Sequence, residues 1–465
     1  MKNIFIFSIL AVVLWACEPA SRQEKFIKND LRAPAYPLVT IDPYTSAWSI
    51  TDQLYDEQVR HWTGEKFPLI GAIRVDGQIY RFMGVEEPML VPVAKMAEAE
   101  GWTGRYTFDK PRDDWQKPKF NDSKWNEGAA AFGTPEETAV KTIWKGNNTE
   151  IWVRREIVLD EDLTGKKVFV EYSHDDDFEL YINGVEVVNT GYRWRKNIVA
   201  PVPDEVVQTL HKGKNIIAAH CLNRTNGALV DFGLSYEATE KQYLEKVATQ
   251  KSVDVQATQT RYNFACGLVN LQLTFTAPLL MYNLELLSRP VNYIAYDVTS
   301  NDGQAHQVEI YFEASPAWAL DKSNQNSRSE TYERDGLVFL KTGSVTQKIL
   351  EKRGDNVRID WGYFYLCAEK EGTTRAIGES KDMRAAFGEY GRLNSPAIIA
   401  DNAPFALSRS LGKVETTASG KVMVGYDDLF SIQYFRENLR PYWNLSGDRT
   451  IESVFTQSVA EYRKL

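Results

Sequence analysis

Apolar residues that recur at every second position constrain this chain more than any other feature, because only an extended strand sends successive side chains to opposite faces. Phe178, Leu180 and Ile182 alternate with Glu179 and Tyr181, and Asn183-Gly184 follows, a pair that tolerates the positive φ angles of a tight hairpin. Ile73 to Tyr80 reads as two strands joined at Asp76-Gly77 in the same way. Val269, Leu271, Leu273 and Phe275 face one way while Asn270, Gln272 and Thr274 face the other, as in a sheet with one wet face. Ile294, Tyr296 and Val298 run up to Asn301-Asp302-Gly303, and Val308, Ile310 and Phe312 run back, which predicts a further hairpin. Strands are expected to continue past Trp361 to Cys367, so the predicted class is mostly β.

A chain of 465 residues needs more than one core. Over Val93 to Glu100 the composition switches to Ala, Lys, Glu and Met, which marks a connector between a first β segment (36–95) and a second block (101–238). The second block has strand patterns at Thr149–Leu159, Lys166–Ser173, Asp177–Val188 and Asn215–Asn223, as in a β-sandwich. A short helical linker is expected over Thr239–Val247, followed by a main β domain over 250–447. Only the last residues are expected to change period. With Asp448 as N-cap, Ile451, Val454, Phe455, Val459 and Tyr462 fall at helical spacing. That stripe must be buried on the sheets or against helical partners.

At the N-terminus Lys2 precedes an apolar run from Ile4 to Trp15, too short to span a bilayer as a helix. The run ends in Leu14-Trp15-Ala16-Cys17, which resembles a bacterial lipobox. The expectation is a lipoprotein signal peptide over 1–17 with lipidation at Cys17, then a polar tether over 18–35; an ordinary signal peptide is the alternative. On this reading the membrane is a partner through the lipid anchor, and the protein is exported to the bacterial cell envelope, at its periplasmic or outer surface. Cys221, Cys266 and Cys367 show no metal or redox spacing and are expected to be buried thiols, one disulfide being the alternative. The net charge of −9 leaves no general basic surface for phosphate backbones, so nucleic acid is not an expected partner.

The sequence holds no H-E-x-x-H, G-x-S-x-G, phosphate-loop or dinucleotide motif, and its histidines at 61, 174, 211, 220 and 306 are scattered. No catalytic residue is therefore assigned, and no cofactor is expected. Asp175, Asp176 and Asp177 form the densest acid run, a set of hard oxygens that suits calcium, although a solvated turn is the favoured account of it and no metal is assigned. Glu86-Glu87, Asp113-Asp114 and Asp427-Asp428 are adjacent acids, yet neighbours along a strand point apart and cannot flank one bond. Tyr192 and Trp194, beside Arg193 and Arg195, read as loop residues able to stack on a glycan, whereas Trp144 and Trp152 fit either a binding face or a core. Trp48, His61 and Trp62 sit in a stretch without strand pattern and are candidates for a cleft or interface loop, with packing as the alternative.

Several blocks then carry a family resemblance. Pro37-Leu38-Val39-Thr40-Ile41-Asp42-Pro43-Tyr44, His61-Trp62-Thr63-Gly64 and Tyr80-Arg81-Phe82-Met83-Gly84 resemble the N-terminal segment of the glutaminase A-like proteins. The likeness resumes at Thr276-Ala277-Pro278-Leu279-Leu280, Arg289-Pro290-Val291, Ser431-Ile432-Gln433-Tyr434-Phe435 and Asn438-Leu439-Arg440-Pro441-Tyr442-Trp443. The resemblance implies a secreted amidohydrolase that converts L-glutamine to L-glutamate and ammonia, with a β-supersandwich followed by a catalytic (α/α) toroid of the six-hairpin kind. It makes these residues a non-catalytic N-terminal portion, with 448–465 as the start of a truncated helical domain that is its missing partner.

The middle block resembles the galactose-binding-like jelly roll of β-galactosidase-type hydrolases, at Phe120-Asn121-Asp122-Ser123-Lys124-Trp125 and Asp176-Asp177-Phe178-Glu179-Leu180-Tyr181-Ile182-Asn183-Gly184. The fold expected is thus a β-supersandwich interrupted by a jelly-roll β-sandwich, with a short C-terminal helix. Two other readings stand beside the first. One is a carbohydrate-binding lipoprotein with a glycan or small-molecule ligand, and the other is the accessory half of a six-hairpin glycoside hydrolase.

Overall fold

The computed structural model describes residues 32–136, 139–239, 241–322, 324–353, 357–394 and 397–464. The expected signal peptide, Cys17 and most of the tether lie outside them. The chain divides into two compact units, one formed by the residues up to Val85 together with Tyr243–Leu465, the other by Glu86–Gln242.

In the first unit the period-two segments close into two antiparallel sheets. Among the described residues one sheet has nine strands, in the order Thr249–Val255, Gln259–Cys266, Val269–Thr276, Val291–Ser300, Thr417–Asp427, Tyr363–Glu369, Leu337–Ser344, Ser327–Arg334 and Ile399–Asp401. The other has five, in the order Thr373–Ile377, Phe405–Val414, His306–Ala314, Leu69–Val75 and Gln78–Met83. Phe264, Leu273 and Tyr296 of the first sheet share one core with Phe82, Phe312 and Phe405 of the second.

The expected hairpin around Asn301-Asp302-Gly303 is not one. Val291–Ser300 pairs with Val269–Thr276 and Thr417–Asp427, whereas His306–Ala314 pairs with Leu69–Val75 and Phe405–Val414 in the opposite sheet. The turn is an arch from one sheet to the other. Alternation shows which face of a strand is buried, not which strand lies beside it, and both strands bury their apolar sets in the same core from opposite sides. His306 fastens the arch, with Nδ1 2.6 Å from an Asp76 carboxylate oxygen and Nε2 2.9 Å from one of Asp302.

A helix lies on the outer face of each sheet. Ile451–Glu461 begins at Thr450 rather than Asp448, because the Thr450 hydroxyl accepts the Ser453 amide at 3.3 Å. Its stripe of Ile451, Val454 and Phe455 is buried against Tyr293, Phe339, Tyr365 and Met423 of the nine-stranded sheet. Gly425 makes room for it, since a Cβ there would lie 2.5 Å from the Phe455 ring. The second helix, Ser380–Tyr390, was not expected from the sequence. Met383 and Phe387 cover Ile70, Ile79, Tyr311 and Ala406 of the five-stranded sheet, and Arg384 forms a buried bidentate pair with Glu313 at 2.9 and 2.6 Å.

The helix expected over Thr239–Val247 is absent from its described residues. There the chain runs extended beside Arg81, whose amide donates to the Lys246 carbonyl at 2.8 Å and whose own carbonyl accepts the Ala248 amide at 2.8 Å. The Arg81 guanidinium also donates to the Leu244 carbonyl at 3.0 Å. These backbone groups are satisfied across the chain, which leaves a helix nothing to gain.

The second unit is a β-sandwich of two six-stranded sheets among the described residues. One contains Leu229–Glu237, Val168–Asp175 and the edge strand Arg195–Pro201, and the other contains Asp177–Ile182, Gly213–Asn223 and Thr149–Leu159. Trp102, Phe132, Trp144, Phe178 and Phe232 form its core. Leu90–Ala94 is a strand of this unit, paired with Leu229–Glu237. The unit therefore begins at Glu86 rather than 101, and the expected first β segment gives up residues 86–95. Trp152 is buried and stacks on His220 with ring centroids 4.7 Å apart. Cys221, Cys266 and Cys367 are buried and unbridged.

The packing of the terminal helix generates the first expectation. Phe455→Ala removes a fully buried ring from the sheet–helix layer and is expected to cost about 3 kcal/mol or more of unfolding free energy. Urea unfolding of the variant measures this; a loss below about 1 kcal/mol would show that the helix contributes little to the unit.

Candidate functional site

In the first unit, the small antiparallel sheet of Tyr36–Thr40, Ser46–Ser49 and Arg60–His61 holds the turn from which the candidate site is built. Asp42 shapes that turn, as one of its carboxylate oxygens accepts the amides of Tyr44 at 2.7 Å and Thr45 at 2.8 Å. The Pro43 carbonyl accepts the Trp62 indole N–H at 2.7 Å and lies 3.1 Å from His61 Nε2. His61 is buried, and burial pulls its pKa down to about 4, so the ring is neutral at ordinary pH. Its Nε2 then donates to Pro43 while Nδ1, 2.9 Å from the Thr63 hydroxyl, accepts.

Trp48 and His61 are strand residues, opposite Arg60 and Ala47 respectively, and not loop residues as expected. Cross-strand pairing with a two-residue segment is too short to leave an alternation in the sequence. Trp48 is partly buried, with its indole donating to Ser46 Oγ at 2.6 Å, whereas Trp62 just beyond the strand is 54% exposed. His61 stacks on Phe67, which meets Trp318 at 4.9 Å in a column of rings that leads into the core.

Acidic residues from distant segments surround the same turn. Tyr44 packs edge-on against Trp361 at 5.5 Å, the Trp361 indole donates to the Phe430 carbonyl at 3.1 Å, and the Tyr426 hydroxyl donates to the Trp361 carbonyl at 2.7 Å. Gly362, at φ +72, permits this fold-back, since a Cβ would lie 2.1 Å from the Asp427 carbonyl oxygen. Burial, together with the charges of Asp42 and Asp427, raises the Asp428 pKa to about 6, and burial also raises Asp42 and Asp427.

The two carboxyls of this couple differ in their surroundings. Asp42 has two amide donors, which favour its charge, whereas Asp428 accepts from Ser431 on one oxygen and buries the other without a hydrogen-bond partner among the described residues. Asp428 is the more readily protonated of the two. Asp360 is fully buried, with one oxygen 2.8 Å from both Gln325 Nε2 and Lys352 Nζ and the other without a partner. The carboxyls of Asp428 and Asp42 act on one another as like charges, which makes each harder to ionise beside the other. Among the described residues no group of three or more His, Cys, Asp or Glu is placed to hold a metal.

From Asp428 the chain passes through Leu429, at φ +58, into the hairpin Ile432–Tyr434 and Glu437–Leu439, turned at Phe435-Arg436 with φ +48 and +71. Every strand residue of this hairpin is exposed, and Phe435 at its tip is 84% exposed. Tyr442, Leu445, Met281 and Tyr282 of the same unit are exposed apolar residues too. A two-stranded hairpin is marginal by itself, and so many exposed apolar side chains near one arm are unusual for a folded surface.

The other residues singled out by sequence lie in the second unit. Tyr192 and Trp194 are 61% and 50% exposed. Asp176 accepts the amides of Arg224 at 2.8 Å and Thr225 at 3.2 Å, and Asp177 pairs with the Arg224 guanidinium at 3.1 Å, so both tie neighbouring chain together. Sequence reading missed Asp42 and Asp360 as site residues, and it weighed Asp428 only against its neighbour Asp427. Its partner Asp42 stands far away in the chain, and no spacing rule connects the two.

Comparison with known families and proteins adds a second line of evidence. Residues 258–465 match the family described as Domain of unknown function (DUF5127), and residues 11–95 match Domain of unknown function (DUF4964). A glutaminase A from Aspergillus oryzae is 28% identical over 194 residues, which cover 40% of this chain and 28% of that protein. The chain thus spans well under half the length of this curated relative.

Among solved structures, a glycosyl hydrolase family 2 member from Bacteroides cellulosilyticus is similar at TM-score 0.24 and 10% identity, over 57% of this chain and 33% of that one. A Ruminococcus gnavus beta-glucuronidase is similar at TM-score 0.25 and 10% identity, over 62% and 42%. Likeness at that level says nothing of function. The resemblance to glutaminase A-like proteins carried by the sequence blocks is thus met by direct similarity to a glutaminase A over that part of this chain's length.

Proposed function

We propose that this chain is the non-catalytic β portion of an exported glutaminase A-like hydrolase, acting together with a helical catalytic portion that hydrolyses L-glutamine to L-glutamate and ammonia. The observation that carries this reading is the exposed hairpin Ile432–Leu439, which presents Ile432, Tyr434 and Phe435 to solvent. It lies within two of the sequence blocks that resemble the family. The hairpin is an arm that docks on the helical portion, and the Asp42–Asp428 couple with Trp361 fixes its base. Similarity to a protein of which the chain covers 28% supports a division of labour with a further part. The apolar run ahead of Cys17 supports a lipid anchor in the cell envelope.

In the full-length gene product, Tyr434→Asp with Phe435→Asp is expected to lower glutamine hydrolysis at least tenfold while leaving the near-ultraviolet circular dichroism of the β portion intact. Wild-type turnover in this variant would end the docking reading, and release of sugar from glycans in place of ammonia from glutamine would end the amidase assignment.

Asp428 adds a pH dependence. A carboxyl whose folded pKa is raised to about 6 stabilises the fold while protonated, and that contribution is lost as pH rises from near 4 through 6. Asp428→Asn is therefore expected to flatten the fall in melting temperature between about pH 4 and pH 6, as scanning calorimetry would register; an unchanged slope counts against a raised Asp428 pKa.

Lipidation is expected to vanish in Cys17→Ala, measured as incorporation of labelled palmitate in cells. Retained label would refute the anchor.

A further inference from the structure

The second unit carries an exposed ridge whose chemistry is unlike the rest of an acidic chain. Tyr192 and Trp194, two apart in a non-helical stretch that opens at Gly191, are 61% and 50% exposed, and the Arg195–Pro201 edge strand follows directly. Each ring has a cation beside it. The Arg224 guanidinium lies 5.4 Å from the Tyr192 ring centroid, and the Lys196 ammonium lies 5.6 Å from that of Trp194. Arg193 and Arg195 are exposed in the same stretch, so two further guanidiniums adjoin the rings. Asp177 holds Arg224 through hydrogen bonds of 2.5 and 3.1 Å to its two oxygens and neutralises its charge.

Aromatic rings cost little entropy to hold and offer flat apolar faces to the C–H face of a pyranose, while guanidinium groups pair with carboxylate or sulfate oxygens in a planar fork. In an extended stretch, residues two apart are separated by roughly 7 Å, a distance that two linked sugar rings can follow. A neutral glycan would use the rings and leave the cations idle. With a net charge of −9 on the whole chain, two exposed guanidiniums beside two exposed rings favour an anionic ligand from solution.

We propose that the Tyr192–Lys196 ridge is a binding site for an acidic glycan, with the rings stacking on sugar and Arg193 and Arg195 engaging its carboxylates. This site serves attachment to polysaccharide and is separate from the amide chemistry proposed above, so either reading can fail without the other.

The test is titration calorimetry of the full chain with oligogalacturonate, beside cello-oligosaccharide as a neutral probe and a single-stranded oligonucleotide as a polyanion without pyranose carboxylates. Oligogalacturonate is expected to bind, to weaken at least tenfold in Trp194→Ala and in Tyr192→Ala, and to lose its salt dependence in Arg193→Ser with Arg195→Ser. These side chains are exposed, and an unchanged thermal melt will show that each variant folds. Absence of oligogalacturonate binding, equal binding of cello-oligosaccharide or of the oligonucleotide, or wild-type affinity in Trp194→Ala would each overturn the proposal.

Discussion

Burial of two alternating faces against one another is the constraint on which the first unit rests. The nine-stranded and five-stranded sheets each turn every second side chain inward, and the shared core of Phe82, Phe264, Tyr296, Phe312 and Phe405 results. A sheet has two faces, however, and each of these has an apolar outer face as well. The helices Ser380–Tyr390 and Ile451–Glu461 cover the outer faces, so the order of layers is helix, sheet, sheet, helix. The terminal helix is thereby accounted for without an external partner for its stripe.

Period-two patterns made the strands legible, and Asn183-Gly184 and Asp76-Gly77 marked true hairpin turns, with Asn183 at φ +49 and Asp76 at φ +48. Partnership between strands was not legible. Ile294 to Phe312 has the pattern of a hairpin because two strands facing one core from opposite sides show the same alternation as two strands side by side. The Ser380–Tyr390 helix did leave a signal: Met383, Ala386, Phe387 and Tyr390 are spaced as on a helical face, and Gly391 at φ +68 ends it. Buried Arg384 obscured that signal, since an arginine on the apolar side reads as polar until its partner Glu313 is known.

The candidate site was legible in part. His61 and Trp62 were marked by composition, and the structure gathers them at the Pro43 carbonyl. The acidic half was hidden because Asp42, Asp360 and Asp428 come from three separate segments that only tertiary folding brings to Tyr426. Proton affinity in such a set is a property of burial and of neighbouring charge, neither of which a linear text contains.

The paired passage of the chain at Arg81 and Lys246–Ala248 has a consequence for how such a protein can be assembled. The path leaves the last strand of the five-stranded sheet, returns beside it on the way into the nine-stranded one and is zipped there by main-chain hydrogen bonds, so the whole Glu86–Gln242 body is subtended by a closed gate. The entropy of closing a loop grows only with the logarithm of its length, and a module of this size adds little to the cost of shutting that gate. A short turn in its place would close the same gate. The module is thus a portable cassette, and its surface is free to diverge without altering the fold that carries it.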